Sequence, residues 1–219
     1  MDRLKTAILI SGRGSNMQAL VDAAAAPDYP AEIVRVVSNV PGAGGLERAA
    51  AAGIATTAID HRDFDGRAPF EDALHAELMS AGVELVCLAG FMRLLTADFV
   101  ERWFDRMINI HPSLLPSYKG LHTHERVLAE GVRFTGCTVH FVRPAMDAGP
   151  IIVQAAVPVL PGDDPDTLAG RVLTAEHRCY PHALRLVAEG RTSIVDETVI
   201  VDGAREPTGI AVNPYDGGS

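Results

Sequence analysis

Apolar residues along this chain fall into two alternating spacings. Thr6-Ala7-Ile8-Leu9-Ile10, Ile33-Val34-Arg35-Val36-Val37 and Glu84-Leu85-Val86-Cys87-Leu88-Ala89 are short runs of β-forming residues, the pattern of parallel strands covered on both faces. Residues 54–59 read as a further strand. Between these runs lie Met17-Gln18-Ala19-Leu20-Val21, the alanine-rich stretch 43–52 closed by Gly53, and the amphipathic stretch 69–81, all with helical spacing. The second half opens with an apolar strand at Met107-Ile108. It continues with a helix at 125–130, a partly alternating strand at 134–142 and a strand at 151–157. A long helix spans 165–189 and stops at Gly190. Ile194 with Val199-Ile200-Val201 predicts a small edge hairpin before a Gly/Pro-rich tail that frays from Gly203.

Strands that alternate with helices require crossover connections, and these are right-handed. The expected fold is therefore α/β and Rossmann-like: an open, mostly parallel twisted sheet with helices on both faces, followed by an antiparallel strand and a hairpin extension. Ligands in such sheets bind outside the carboxyl ends of the strands. Three of those ends carry notable chemistry: Ser11-Gly12, Gly90-Phe91-Met92-Arg93-Leu94-Leu95, and Asn109-x-His111. They are expected to share one crevice.

Composition narrows the class. With 219 residues, 47% of them hydrophobic, the chain has ample material for a buried core. A formal charge of −9 argues against broad nucleic-acid binding, which needs a basic surface. No apolar stretch approaches the roughly 18 residues that cross a bilayer, and the start leads straight into a strand rather than a signal peptide. A soluble, cytoplasmic protein without nucleic-acid or membrane partners is expected. Cys87, Cys137 and Cys179 are odd in number and widely spaced, and read as reduced structural thiols.

Ser11-Gly12-Arg13-Gly14-Ser15-Asn16 joins a strand to a helix start, where backbone N–H groups and the helix dipole favour an anion. The dinucleotide fingerprint fails because Met17 replaces its third glycine, and Ser38-Asn39 stands where a ribose-binding acid belongs. A Walker loop fails for want of Gly-Lys-Ser/Thr. What remains is a site for one phosphate, with Gly14, Ser15 and Asn16 as donors. Met92, Leu94 and Leu95 around Arg93 suit a flat heteroaromatic ring, although such loops also serve as core. Asn109 and His111 lie two apart on an extended backbone, so their side chains share one side of it, and Pro112 and Pro116 stiffen the exit. Read alone, Asn-x-His satisfies turn backbone equally well, Asp147 near a glycine is a turn former, and Arg67 is an ordinary exposed arginine. His111, His122 and His124 raise a zinc hydrolase reading, but no carboxylate or fourth ligand has suitable spacing.

The run from Asn109-Ile110-His111-Pro112-Ser113-Leu114-Leu115-Pro116 to Gly120-Leu121-His122-Thr123-His124 resembles the signature of the formyltransferases that use 10-formyltetrahydrofolate. Its last five residues resemble the members that act on glycinamide ribonucleotide. The resemblance implies formyl transfer to that ribonucleotide's primary amine, in purine synthesis. It makes Asn109, His111 and Asp147 catalytic, with Asp147 favouring the imidazolium of His111. Gly14, Ser15, Asn16 and Glu176 would hold the ribonucleotide, at the phosphate and at the ribose. Arg67, Met92, Arg93, Leu94, Leu95, Asn109, Arg143, Met146 and Asp147 would contact the folate. It implies no metal, no tightly bound cofactor, 10-formyltetrahydrofolate as co-substrate, and a monomer or homodimer. The chain is expected to form a single domain, 1–219, with a phosphate-binding half to about residue 100, a catalytic and folate-binding half to about 190, and a hairpin and tail beyond. Related tRNA formyltransferases and formyltetrahydrofolate hydrolases carry an extra C-terminal or N-terminal domain, and neither is expected here.

Overall fold

In the computed structural model, residues 2–205, 209 and 211–214 are described, and the frayed tail expected from Gly203 lies largely outside them. The elements follow in the order β1 (Leu4–Ile10), α1 (Ser15–Ala24), β2 (Ala31–Ser38), α2 (Gly44–Ala51), β3 (Thr56–Ala58), α3 (Arg67–Ser80), β4 (Leu85–Leu88), α4 (Ala97–Arg102) and β5 (Met107–His111). Then come α5 (Thr123–Glu130), β6 (Phe134–Phe141), β7 (Ile151–Pro158), α6 (Pro165–Ala188), β8 (Thr192–Val195) and β9 (Thr198–Val201). Every expected strand and helix forms. The short helix α4 was not expected, because its length is below two turns and gives no periodicity to read. Its local signal is Thr96, whose hydroxyl accepts from Phe99 N at 3.3 Å as the N-cap.

Seven strands form one sheet in the order β3-β2-β1-β4-β5-β6-β7. The first five in sequence run parallel, while β6 and β7 run antiparallel to their neighbours. The C-terminal hairpin is a separate two-stranded sheet of β8 and β9. Alternation along each central strand sorts side chains into two cores. Ile8, Ile10, Cys87, Ile108 and Ile110 face the core shared with α1 and α6, while Ala7, Leu9, Val86, Leu88 and Met107 face the core shared with α3 and α4. Helices therefore cover both faces, as the continuous apolar runs imply.

The strand order reverses beside β1, which pairs with β2 on one side and β4 on the other. Connections leave in opposite directions there and open a crevice at the carboxyl ends. Helix α6 is pinned across the next seam. The buried Tyr180 hydroxyl lies 2.9 Å from the Leu88 carbonyl on β4 and 3.1 Å from the Ile108 carbonyl on β5. This contact sits one or two residues below the strand ends that carry Gly90 and Asn109.

Close strand packing sets a strict size limit at Gly136 on β6. A Cβ there would lie 1.9 Å from the Ala155 carbonyl oxygen and 2.9 Å from the Leu114 side chain. Gly170, exposed within α6, has nothing within 4 Å of its Cβ position. Gly136→Ala is therefore expected to destabilise the fold by about 3 kcal/mol or more through overpacking. Gly170→Ala is expected to stabilise it by up to about 1 kcal/mol through helix propensity. Urea unfolding of both variants checks this pair, and a Gly136→Ala midpoint equal to that of the parent would refute the packing argument.

Candidate active site

The turn expected to hold a phosphate is built by Gly14, which precedes α1 in the left-handed region at φ 72° and provides no side-chain cap. No acidic residue occupies the first turn of α1, so the leading N–H groups and the positive end of the dipole stay available to an anion. Asn16 reaches across 160 residues of sequence, its Nδ2 donating to Glu176 Oε2 on α6 at 2.8 Å. The four residues assigned to the ribonucleotide are thus brought together. Asn16 Oδ1 is buried without a partner. Burial raises the Glu176 carboxyl above the usual range, and the Asn16 amide opposes that rise. Arg13 stands exposed on the turn.

Ser11 couples this turn to the next strand end. Its N–H donates to Gly90 O at 3.1 Å, and its hydroxyl accepts from Met92 N at 2.8 Å while donating to Asn39 Oδ1 at 2.5 Å. The loop from Gly90 is fixed at its far side by the buried Glu71 on α3. That carboxylate accepts from Thr96 N at 2.9 Å and from the Thr96 hydroxyl, anchoring the start of α4. Sequence reading missed Glu71, since a lone acid on a helix carries no mark of burial.

A pocket of about 120 Å³ opens between the Gly90 loop and residues 142–148. Arg93, Leu94, Leu95, Asn109, Arg143, Met146 and Asp147 all line it. Pockets that enclose a whole drug-sized ligand measure about 300–1,000 Å³, so this one suits a single ring system with the remainder outside. Two of the expected folate contacts do not line this pocket. Arg67 is the exposed first residue of α3, and Met92 is 69% exposed, held by its backbone N–H rather than turned inward. Arg143 lines the pocket, but its guanidinium is spoken for. It pairs with Asp105 at 2.9 Å and Glu197 at 2.8 Å and lies 4.1 Å from the Phe104 ring centroid.

Asn109, His111 and Asp147 converge. The His111 ring sits between two acceptors, with Nδ1 3.5 Å from Asp147 Oδ1 and Nε2 2.9 Å from the Tyr118 carbonyl. Nε2 donates to the carbonyl, while Nδ1 faces the carboxylate at ion-pair distance. Asp147 lies at φ 46°, in the left-handed region that Asp tolerates, and its Oδ2 accepts from Gly120 N at 2.7 Å. One carboxylate thus joins the loop after β6 to the loop after β5. The sequence reading overlooked His140, the register partner of Asn109 on β6. Asn109 Nδ2 lies 3.2 Å from His140 Nε2, while His140 Nδ1 donates to Phe141 O at 2.9 Å. Burial pushes His140 down, so it stays neutral and accepts from the amide. This fixes the orientation of Asn109 at the pocket wall. The only signal was strand register, which one sequence does not display.

Among the described residues, no group of three or more His, Cys, Asp or Glu side chains is placed to hold a metal ion, and no helix is long and apolar enough to cross a membrane.

Known proteins resemble this chain over nearly its whole length. Phosphoribosylglycinamide formyltransferase of Escherichia coli is 44% identical over 91% of this chain and 94% of its own length. The crystal structure of glycinamide ribonucleotide transformylase 1 from Symbiobacterium toebii superposes with a TM-score of 0.89, at 45% identity over 91% of this chain and 94% of that one. The trifunctional purine biosynthetic protein adenosine-3 of Gallus gallus is 52% identical over 88% of this chain, which spans only 19% of that longer protein. The model of the formyl transferase family matches residues 4–184, and the chain belongs to that family.

Proposed function

We propose that this chain transfers the formyl group of 10-formyltetrahydrofolate to the primary amine of N1-(5-phospho-D-ribosyl)glycinamide, a step of purine synthesis, acting as one formyltransferase domain. The observation that carries the reading is the convergence of Asn109, His111 and Asp147 beside a ring-sized pocket, with a phosphate turn at the adjoining strand end. The names of the E. coli and Symbiobacterium relatives agree with it.

Transfer begins when the amine nitrogen adds to the formyl carbon, whose oxygen takes up negative charge. The bond from carbon to N10 then breaks, N10 gains a proton and the amine loses one. The Asn109 amide and the protonated His111 ring are the donors suited to the oxyanion, and Asp147 holds the imidazolium in place. His111 Nε2–H, which meets the Tyr118 carbonyl at 2.9 Å, is the donor that turns toward that oxygen. The ribonucleotide phosphate rests on Gly14, Ser15 and Asn16, its ribose hydroxyls on Glu176, and the pterin ring in the pocket behind Arg93, Leu94 and Leu95. Residues up to about 100 then supply the phosphate site and residues 101–190 the chemistry.

Incubation with glycinamide ribonucleotide and 10-formyltetrahydrofolate is expected to yield the N-formyl ribonucleotide and tetrahydrofolate in equal amounts. Release of formate without a formylated product would replace the transferase reading by a hydrolase.

Asp147→Asn separates catalysis from turn formation, because asparagine serves in a turn and still accepts the Gly120 N–H. The fold is expected to survive unchanged by circular dichroism while kcat drops roughly 100-fold or more, the scale of losing one electrostatic element of an active site. An unchanged kcat would assign Asp147 to the turn alone.

Glu176→Gln tests whether the buried carboxylate is kept for binding. Burial holds its folded pKa above the unfolded value, so the anion costs stability progressively as pH rises past the unfolded pKa. Glutamine removes that cost and keeps an acceptor for Asn16. The variant is expected to melt higher than the parent at pH 8, with a smaller gain at pH 5, and to bind the ribonucleotide more weakly. An equal gain at both pH values would show that the carboxylate is not destabilised by burial.

A further inference from the structure

The loop after β6, residues 142–150, forms one wall of the pocket beside Asn109, and the run from Arg143 to Ala148 lines it. Its ends are joined, since Phe141 N donates to Pro150 O at 2.9 Å. Between those ends the loop is tied to the rest of the chain at two side chains. One is Asp147, through Gly120 N at 2.7 Å. The other is Arg143, and every nitrogen of its guanidinium is engaged. Nε donates to Glu197 Oε2 at 2.8 Å and Nη2 to Glu197 Oε1 at 3.0 Å, Asp105 Oδ1 lies 2.9 Å from Nη2, and Nη1 donates to the Val142 carbonyl at 3.2 Å. The group also rests on the Phe104 ring, which leaves the side chain 10% exposed. Its stem lies against the far arm of the loop, where a Cβ on Gly149 would come within 3.0 Å of Arg143 Cγ. Whatever fixes the head of this arginine therefore fixes the loop around it.

Glu197 comes from the tip of the C-terminal hairpin, in the two-residue loop between the register partners Val195 and Thr198. Asp196 and Glu197 have φ 49° and 57°, the left-handed conformation that so tight a hairpin requires and that glycine or asparagine takes up most readily. Glutamate is strained there. Its side chain makes the two-pronged pair with Arg143. The hairpin behind it is a firm support, because Ile194, Val199 and Val201 pack on the core and Arg191 Nε and Nη2 donate to Asp202 O at 3.0 and 2.8 Å. Glu197 itself is 60% exposed, and an ion pair between two freely moving surface side chains contributes little. This pair is bidentate and joins a packed hairpin to a guanidinium already seated on an aromatic face, so less freedom is lost in forming it.

We propose that Glu197 is a positioning residue for the folate pocket: from the hairpin tip it grips Arg143 and so holds the 142–150 loop in the conformation that binds the co-substrate. The identity of that ligand rests on the reading of the pocket as the pterin site, whereas the clasp does not.

Glu197→Gly is the decisive variant, because glycine suits the turn while the carboxylate is removed. Asp196→Gly is its matched control, since Asp196 shares the tip and is not a partner of Arg143. Deuterium exchange of the purified full chain, read by mass spectrometry, is expected to be faster over residues 142–149 in Glu197→Gly than in the parent. Asp196→Gly is expected to exchange there like the parent. In steady-state assays Glu197→Gly is expected to raise KM for 10-formyltetrahydrofolate several-fold and to leave KM for glycinamide ribonucleotide unchanged. Glu197→Gln, which keeps an acceptor oxygen and loses the charge, is expected to fall between parent and glycine variant. Equal exchange in Glu197→Gly and the parent overturns the clasp. So does an equal rise in both tip variants, which assigns the effect to the turn. Faster exchange with an unchanged folate KM, or with both KM values raised alike, overturns the link to the pocket. A parent protein that fails to transfer formyl sinks the proposed reaction instead, and the exchange comparison then decides the clasp by itself.

Discussion

The site depends on the parting of the chain beside β1. Parallel strands cannot be joined by tight hairpins, so each pair needs a crossover, and at β1 the crossovers leave to opposite sides. The carboxyl ends there have no connection lying over them. Ser11 converts the resulting gap into a single site, because its N–H and hydroxyl tie the phosphate turn to Gly90 and Met92 across the opening. Helix α6 supports both from beneath, through Tyr180 at the β4–β5 seam and Glu176 at Asn16.

Histidine plays two different parts on adjacent strands. His140 is buried, donates to a backbone carbonyl and is held neutral, so that it accepts from the Asn109 amide and sets its direction. His111 lies between a carboxylate and a carbonyl, with Nε2 donating to the carbonyl and Nδ1 facing the carboxylate. Adjacent strands deliver the two rings, and the difference between them comes from the partners each backbone loop provides. Asp147 is the decisive one, since it reaches His111 only because its own backbone takes up a left-handed conformation and Gly120 donates to its second oxygen.

The site keeps groups that a purely stable core would discard. Glu176 is buried with an amide as its partner, and Asn16 holds a buried oxygen with none. Both are costly in an apolar setting, and their presence beside a helix N-terminus supports the proposed ribonucleotide site. Glu71 is buried too, but it accepts from both donors of Thr96 and serves to fasten a loop. Glu176 receives one donor from the protein and Glu71 two, and the proposed binding role falls to the carboxylate with capacity to spare.

Local chemistry was readable from the residues alone. Continuous apolar runs demanded a doubly covered sheet, the Gly-rich turn before a helix start made an anion site the expectation, and Asn109 with His111 on an extended strand shared a side by the pleat. These are properties of neighbours in sequence, governed by backbone period and side-chain type. Whatever joins distant segments was decided by the tertiary structure. The Asn16–Glu176 bond, the His140 that aims Asn109 and the burial of Glu71 all depend on strand register and on where the helices cross the sheet. Arg143 shows the same limit from the other side. Its place on the loop put it at the pocket, and only the packed chain revealed that Asp105 and Glu197 hold its charge. Burial and pairing are set by all the elements at once, and no single stretch of residues carries them.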